Sequence, residues 1–315
     1  MKSKVVVVGS YNTDLTIKTE RIPRPGETII GGVFSEGGGG KGANQAVAAA
    51  RAGANVSFIA RVGNDALGNL GVQRLTDEGI NTNFIYKDND SATGVAFIVV
   101  DERGENSIVV ASGANAKLSS ADIDEAHDEI SSADVLLVQL ESPIDAIYSA
   151  IRKAHSKGAM VILNPAPAQS LSSKILNDID VITPNKVEAE MITGIKASDE
   201  ESLRAIAQKF FESGVKIVII TLGSKGMFVG STEGMKLIPA YKVCPVDSTG
   251  AGDIFSGALA AFLAEGISME IAVKMAAASA SISVTRLGAQ RSAPNRKEIE
   301  DFLMNYSSSQ AEVIG

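Results

Sequence analysis

Short runs of branched apolar residues alternate with amphipathic stretches from one end of the chain to the other. Three of the runs are apolar without alternation, which is typical of strands covered by helices on both faces: VVVV at 5–8, VLLVQL at 135–140 and IVIIT at 217–221. We predict strands at residues 4–9, 55–62, 134–140, 159–164, 180–183 and 216–222. We predict helices at residues 41–52, 66–78, 144–156, 200–212, 250–264 and 269–284. This alternation predicts an α/β fold with a mainly parallel central sheet.

Two regions have instead the period of two that marks half-buried strands. Residues 15–32 alternate around a Pro/Gly turn, and residues 95–110 form a hairpin pattern that turns at 103–104. We predict that they form a small sheet acting as a lid over the carboxyl edge of the main sheet, where ligands bind in open α/β folds. A structural flap and a dimerisation surface are the alternatives. The predicted organisation is an α/β domain of residues 1–13, 41–92 and 112–315, and a lid of residues 14–40 and 93–111.

The amino-acid composition argues against several classes of functional site. Among 315 residues, only Cys244, His127 and His155 can supply thiolate or imidazole, too few for an ordinary zinc site, and both histidines read as exposed helix residues. A net charge of −8 and 5% aromatic residues argue against nucleic acid as a partner. No apolar run reaches the length of a signal-peptide core or a membrane span, so we expect a cytoplasmic protein without a membrane partner.

The first candidate site is the glycine cluster GGGGKGANQ at residues 37–45. Its formal G-x-G-x-x-G match does not follow the first strand directly, and the Walker pattern is absent, so a nucleotide fingerprint is not indicated. The glycines do lead into a helix whose first turn carries Lys41 and Asn44. Exposed backbone N–H groups there favour a hydroxyl oxygen or an anion, although a flexible turn is an equal alternative.

The second candidate site, CPVDSTGAGDIFSGALAAF at residues 244–262, is far more specific. The small residues Gly250, Ala251 and Gly252 open an apolar helix and leave space for backbone N–H groups to form an anion hole. Asp253 follows in the first turn, where we expect the helix terminus to hold its carboxylate ionised. Such a carboxylate can accept a hydroxyl proton, which suits phosphoryl transfer. The alternative is an N-terminal Asp that only stabilises the helix.

Other polar residues follow predicted strands. Asn185 and Glu188 are three apart on one helical face and offer oxygen ligands to Mg²⁺, or else form an ordinary capping box. The segment TLGSKG at 221–226 is a candidate phosphate loop and equally a candidate hairpin turn. Several donors and acceptors at one sheet edge can grip vicinal hydroxyls, as expected of a sugar site: Asn12, Asp14, Lys41, Asn44 and Glu141.

Together these motifs make the chain resemble the phosphofructokinase-B-type carbohydrate kinases. The resemblance rests on GGGGKGANQAVAAARAGANVSFIARVG, NPAPA, TPNKVEAE and DSTGAGDIFSGAL, and it runs from about residue 5 to 302. It implies a three-layer α/β fold with a β-sheet lid that often clasps a second subunit, hence a homodimer. It also implies ATP-dependent phosphorylation of a sugar's primary hydroxyl, with D-ribose as the leading substrate, Mg²⁺, and K⁺ as activator.

The resemblance also assigns roles by position. Asp253 matches the catalytic base, with Gly250, Ala251 and Gly252 as the anion hole. The sugar contacts match Asn12, Asp14, Gly40, Lys41, Asn44 and Glu141. The phosphate, magnesium and nucleotide positions match Asn185, Glu188, Thr221, Gly223, Gly226 and Gly252, together with Ala277, where the family often carries His or Asn. A monovalent-cation site matches Asp247, Thr249, Ser283, Arg286, Gly288 and Ser292.

Other functions stay open at this point. Within the family, fructose, ketodeoxygluconate and nucleosides such as adenosine are alternative substrates; the lid offers only Phe34 and Phe97 for a base, which favours a small sugar. Cations in the lid keep a sugar phosphate possible. A nicotinamide-dependent oxidoreductase would need a glycine fingerprint after Gly9, which is missing. A sugar-sensing protein without activity would lack the base or the anion hole, and both are present.

Overall fold

The chain forms two separate sheets, as its two kinds of hydrophobic pattern predict. The computed structural model describes residues 3–312, of which 307–312 by backbone alone, so the predicted domain limits at 1–2 and 313–315 lie outside the described residues. The strands are β1 (Lys4–Val8), β2 (Asn12–Lys18), β3 (Val33–Gly39), β4 (Asn55–Gly63), β5 (Ile85–Asp88), β6 (Gly94–Val100), β7 (Asn106–Ala111), β8 (Val135–Val138), β9 (Met160–Leu163), β10 (Val181–Ile182), β11 (Ile217–Thr221), β12 (Met227–Ser231) and β13 (Gly234–Ile238). The helices are α1 (Lys41–Arg51), α2 (Ala66–Asp77), α3 (Ser120–Glu125), α4 (His127–Ser131), α5 (Ile144–Ser156), α6 (Ser173–Leu176), α7 (Lys186–Thr193), α8 (Glu200–Glu212), α9 (Ala251–Ala264), α10 (Met269–Ser283) and α11 (Arg296–Glu312).

Within the described residues, the main sheet has nine strands in the order β13-β12-β11-β10-β9-β8-β1-β4-β5. All of its pairs from β11 to β5 are parallel, and the six predicted strands and six predicted helices are confirmed with ends that differ by at most two residues. The strands β5, β12 and β13 were not predicted. The last two pair antiparallel with β11 and with each other, which ends the parallel part of the sheet.

Helices cover both faces of this sheet because its strands are apolar on both sides. Alternate residues of β1 point to opposite layers: Val5 and Val7 belong to the apolar layer that includes α1, α9 and α10, whereas Val6 and Val8 belong to the layer that includes α3, α5 and α8. All four side chains have no exposed surface. The result is the predicted three-layer α/β fold.

The small sheet has the strand order β3-β2-β6-β7. The hairpin of β6 and β7 is confirmed, but the prediction for residues 15–32 is wrong in its second half. Residues 19–32 contain two prolines and three glycines and form no strand, so the partner of β2 is β3, which includes Gly37 to Gly39. At position 39 the sheet leaves no room for a side chain, because a Cβ there would lie 2.1 Å from Asp14 Oδ1.

This architecture brings the candidate residues to one edge. The carboxyl ends of β1, β8, β9 and β10 meet the first turns of α1 and α9, and β2 follows β1 after a three-residue connection. Such an edge is where open parallel sheets bind ligands. No helix in the described part of the chain is both long and apolar enough to cross a membrane.

We predict that Gly257→Ala lowers the free energy of unfolding by about 1–3 kcal/mol. Gly257 lies where α9 crosses α1, and a Cβ there would be 2.3 Å from the Gln45 backbone oxygen. The two helices therefore have to separate, which outweighs the roughly 1 kcal/mol that Ala adds to helix propensity. Urea unfolding measures the effect. Gly37→Ala, whose Cβ meets nothing within 4 Å, is the control; an equally small change in both variants would contradict the prediction.

Candidate active site

Five charged side chains from five elements converge at the carboxyl edge of the main sheet. They are Asp14 on β2, Lys41 at the start of α1, Glu141 after β8, Glu188 in the first turn of α7 and Asp253 in the first turn of α9. Charge interactions among them influence the pKa values of Asp14, Lys41, Glu188 and Asp253. The structure therefore brings together residues that the sequence analysis assigned to a base, a sugar site and a phosphate site.

Asp253 is the most deeply buried of these acids, with 6% of its surface exposed. Its Oδ2 accepts a hydrogen bond from Asn44 Nδ2 (2.9 Å) and its Oδ1 accepts one from Gln45 Nε2 (3.0 Å). Burial raises the pKa of Asp253, and Lys41, Asn44 and Gln45 oppose that rise. Desolvation is the largest influence on this pKa; that the helix terminus holds the carboxylate ionised stays a prediction. A raised pKa makes the carboxylate a stronger base.

Lys41 supplies the positive charge of the cluster. Its backbone N–H donates to Glu141 Oε2 (3.0 Å), and the Ser10 hydroxyl donates to the same oxygen. Burial acts to lower the pKa of the Lys41 ammonium, but Asp253, Glu141 and Glu188 raise it overall. The side chain therefore stays charged beside three acids.

The predicted sugar residues lie together at the junction of β1, β2 and α1. Asn12 is buried and accepts a hydrogen bond from Asn115 Nδ2 (2.9 Å), which also donates to the Tyr11 carbonyl. Gly40 has φ +86°, and a Cβ on it would be 2.7 Å from the Asn12 nitrogen, so only glycine lets α1 begin here. Among the described side chains, Asn44 Oδ1 is buried without a hydrogen-bond partner, which leaves an acceptor for a ligand hydroxyl.

Asp14 completes this group and has a strongly altered acidity. Burial, together with the charges of Glu141 and Asp253, raises its pKa to about 6. The side chain therefore holds a proton more tightly than an ordinary aspartate does. A carboxyl group of this kind is suited to exchange hydrogen bonds with vicinal hydroxyls.

The predicted phosphate elements lie beside this cluster. Asn185 and Glu188 form a reciprocal capping box at the start of α7, with Glu188 N donating to Asn185 Oδ1 (2.9 Å). Thr221 pairs with Asn185 at the end of β11, and Gly223 and Gly226 form the tight connection from β11 to β12. The local alternatives of a capping box and a hairpin turn are thus the structures observed. The capping box and the turn still leave the side-chain oxygen atoms of Asn185, Glu188 and Thr221 beside the charged cluster.

The first turn of α9 has the backbone shape that an anion hole requires. Gly250 is left-handed (φ +73°), and a Cβ on it would be 2.8 Å from the Ala289 Cβ. The Ala251 N–H donates to the Ser248 carbonyl (3.2 Å) and so closes a turn. The N–H groups of a first helical turn have no partner inside the helix, which leaves those of Gly252 and Asp253 available to an anion.

The predicted cation residues form two adjoining loops. Asp247 Oδ1 accepts from Thr249 N (2.9 Å) and its Oδ2 accepts from Gly288 N (2.9 Å), which ties the loop before α9 to the loop after α10. Burial acts to raise the pKa of Asp247, but these hydrogen bonds lower it overall. Three further positions adjoin the second loop: Ser283 and Ser292, both buried, and Arg286, whose guanidinium pairs with Glu298. Ala277 lies apart from them, buried in the apolar layer of α10.

Sequence reasoning missed the polar residues that hold the site from behind. Gln45, Gln139 and Asn164 are buried and hydrogen-bonded to one another, and Gln45 also contacts Asp253. Their signal was a polar residue inside an apolar setting, as in the run VLLVQL and in the motif NPAPA. That signal marks burial with a partner, but it does not identify the partner.

The chain is similar to known proteins in sequence and in fold. The sequence model of the pfkB family carbohydrate kinases matches residues 2–296. The chain is 44% identical over 303 residues to the ribokinase of Haemophilus influenzae, covering 96% of this chain and 99% of the relative. It is 42% identical over 300 residues to the ribokinase of Mus musculus, covering 94% and 93%. The structure of Arabidopsis thaliana ribokinase complexed with ribose and ATP is similar with a TM-score of 0.89 at 33% identity, covering 96% and 99%.

We predict that Asp14→Asn stabilises the protein without sugar by about 1–3 kcal/mol at pH 7.5. Because the folded state raises the pKa of Asp14 from 3.8 to about 6, this group makes folding less favourable as the pH rises above about 4, and the full penalty is reached above pH 6. The advantage of the variant should shrink as the pH falls through 6 toward 4, where the carboxyl is protonated in the folded protein. Urea unfolding at pH 7.5 and 4.5 measures the difference.

Glu233→Gln, on the turn between β12 and β13, is the surface control for this comparison. It should change the free energy of unfolding by less than about 0.5 kcal/mol at either pH. The prediction is contradicted if Asp14→Asn is less stable than the parent at pH 7.5, or if its effect does not depend on pH. Either result would show that folding does not raise the pKa of Asp14.

Proposed function

The chain belongs to the pfkB family of carbohydrate kinases, and we propose that it transfers the γ-phosphoryl group of ATP to the 5-hydroxyl of D-ribose. The products are ribose 5-phosphate and ADP. The observation that carries this proposal is the placement of Asp253, a buried carboxylate with a raised pKa, between hydroxyl-binding side chains and the open N–H groups of α9. Ribokinases of high identity, and one solved with ribose and ATP, point to the same reaction.

In this mechanism, the oxygen of the sugar 5-hydroxyl bonds to the γ-phosphorus, and Asp253 receives the proton of that hydroxyl. The bond from that phosphorus to the bridging oxygen breaks, and ADP leaves with the electron pair. The first turn of α9, from Gly250 to Gly252, stabilises the charge on the transferred group. The base therefore needs only modest strength, and orientation contributes most of the effect.

The sugar is held by groups that suit a small polyol. Asp14 and Asn12 on β2, with Asn44 and Lys41 on α1, present donors and acceptors within one junction, and Glu141 fixes the start of α1. Ribose is favoured because this junction is lined by carboxyl, amide and ammonium groups, with no aromatic slot for a nucleoside base among the assigned residues.

Two cations belong to the proposal. In the part of the chain that the structure describes, no three His, Cys, Asp or Glu side chains are placed to hold a metal together. Glu188 and Asn185 offer a carboxylate and an amide oxygen at the start of α7. These donors fit Mg²⁺, which keeps most of its waters and binds phosphate, and they would hold the ion through those waters. When bound, Mg²⁺ neutralises charge on the nucleotide.

The second cation is K⁺, which we propose as an activator. The oxygen atoms of Asp247, Thr249, Ser283, Arg286, Gly288 and Ser292 supply its site. These are hydroxyl, carbonyl and carboxylate oxygens, the ligands that hard cations prefer. The hydrogen bonds of Asp247 join both loops to the start of α9, next to the anion hole.

We also propose a homodimer that forms through the small sheet. Cross-strand pairing places Ile17 beside Phe34 and places Phe97 beside Val109. These four side chains are 42%, 62%, 55% and 67% exposed. An apolar face of this size on a small sheet is typical of an interface. A cytoplasmic location is proposed on the need for an ATP supply.

Assay of ADP release tests the reaction. We predict that D-ribose stimulates ADP release more than 2-deoxyribose, fructose, ketodeoxygluconate or adenosine, and that K⁺ in place of Na⁺ increases the rate. Asp253→Asn should lower kcat by at least about 100-fold because the proton acceptor is lost. Its affinity for ADP, measured by calorimetry, should stay within about threefold of the parent, since the nucleotide does not depend on the base.

Two outcomes would overturn this function. If ribose does not stimulate ADP release and another compound of the panel does so strongly, that compound and not ribose is the substrate. Near-normal turnover by Asp253→Asn would show that Asp253 is not the catalytic base. A protein that binds ribose without any ADP release would instead be a sugar sensor.

Light scattering on a sizing column tests the dimer. We predict that the parent protein has about twice its chain mass of 32.7 kDa and that the double variant Phe34→Asp/Phe97→Asp elutes as a monomer. Two buried carboxylates without partners would make the interface unfavourable. Leu237→Asp, an exposed apolar residue of β13 on the main sheet, is the control and should stay dimeric. A monomeric parent would contradict the proposal.

A further inference from the structure

A chain of buried amides runs from the middle of the main sheet to Asp253. Gln139 Nε2 donates to Gln45 Oε1 (2.6 Å), and Gln45 Nε2 donates both to Asp253 Oδ1 (3.0 Å) and to Asn164 Oδ1 (3.0 Å). Asn164 Nδ2 in turn donates to the Thr183 carbonyl (2.9 Å). Gln45 and Gln139 have no exposed surface, and Asn164 has 6%.

The hydrogen bonds of this chain fix the orientation of the Gln45 amide. Rotating that amide by 180° would bring its oxygen against the oxygens of Asp253 and Asn164 and its nitrogen against the nitrogen of Gln139. Asn164 cannot reverse either, because its nitrogen serves the Thr183 carbonyl. Both protons of Gln45 Nε2 are therefore committed, one of them to Asp253.

The backbone around the chain leaves room for the amides and for nothing larger. A Cβ on Gly9 would be 2.1 Å from Gln139 Oε1, and a Cβ on Gly257 would be 2.3 Å from the Gln45 backbone oxygen. The end of β1 and the middle of α9 are thus as close to these glutamines as glycine permits. Packing this tight holds side chains in single rotamers.

We propose that Gln45, fixed by Gln139 and Asn164, is the positioning residue that sets the orientation of the Asp253 carboxylate for proton transfer. This inference rests on the proposed function, in which Asp253 is the base. An amide suits the task because it donates to the ionised carboxylate and has no proton to lose at neutral pH. Asn44 holds the other oxygen but also faces the sugar, so Gln45 is the contact devoted to the base alone.

The amide also influences the acidity of Asp253. The charged groups that face Asp253 are Lys41 from α1, Glu141 after β8, Asp14 from β2 and Glu188 from α7. Only the first favours the ionised form. The hydrogen bond that Gln45 donates to Oδ1 stabilises the ionised form in the same sense as Lys41 does. Loss of this hydrogen bond should therefore move the ionisation of Asp253 to higher pH.

The test is Gln45→Met, which keeps the length and removes both hydrogen bonds from Nε2. We expect kcat for ribose phosphorylation to fall about 10- to 100-fold, the loss that removal of one hydrogen bond to a charged group produces. The KM for ribose should change by less than about threefold, because Gln45 does not touch the sugar. The acid limb of kcat, measured at saturating ribose and ATP, should move up by about one pH unit.

Gln139→Met provides the second variant, in case Gln45→Met does not fold. It leaves the bond from Gln45 to Asp253 in place but releases the amide that orients it. A smaller fall in kcat, about two- to tenfold, is expected, with the acid limb displaced in the same direction. Gln73→Met is the control, because Gln73 donates to a carboxylate, Asp77, on the surface of α2 (2.7 Å). It should leave kcat and the pH profile unchanged.

A lower melting temperature with an unmoved acid limb, and a kcat that is normal per folded molecule, would show that the amides are structural only and would overturn the inference. So would a loss confined to KM. Asp253→Asn distinguishes this failure from failure of the proposed function. If Asp253→Asn is inactive while Gln45→Met and Gln139→Met have normal activity, Asp253 is the base but the amides do not position it. If Asp253→Asn is active, the proposed function itself fails.

Discussion

Burying the Asp253 carboxylate costs free energy, and much of the surrounding structure is explained by how that cost is offset. The acid is 6% exposed, and burial raises its pKa. Two amide donors, one ammonium group and the first turn of a helix favour its ionised form. All of them come from α1 and α9, so the close crossing of these helices is a condition for having an ionisable group at this place.

The same electrostatic constraint extends to the sugar side. One lysine, Lys41, lies among the carboxyl groups of Asp14, Glu141, Glu188 and Asp253. Burial, with the charges of Glu141 and Asp253, raises the pKa of Asp14 to about 6. The site is therefore under strain that a hydroxylated ligand, a hydrated cation or a proton can relieve. Binding groups that destabilise the empty protein are a common property of active sites, where stability is exchanged for affinity.

The sequence predicted what depends on local pattern. Parallel strands such as β1 and amphipathic helices such as α5 follow from the apolar period, and Asp253 stood out because small residues precede it in a first helical turn. The strand β3 could not be predicted, since its Gly39 is required by Asp14, a residue of another strand. Gln45 and Gln139 could not be paired for the same reason: they are 94 residues apart. The rise in the pKa of Asp253 could not be predicted, because desolvation depends on the whole fold.

The central claim is that proton transfer to Asp253 accompanies phosphoryl transfer to the sugar. Rapid-quench measurement of one turnover, with ATP and ribose saturating and the pH varied from 5 to 9, tests it most directly. The account predicts that the rate of the parent protein falls at low pH with the uptake of one proton, and that the small residual rate of an Asp253→Asn protein does not depend on pH. The same acid limb in both proteins would contradict the account.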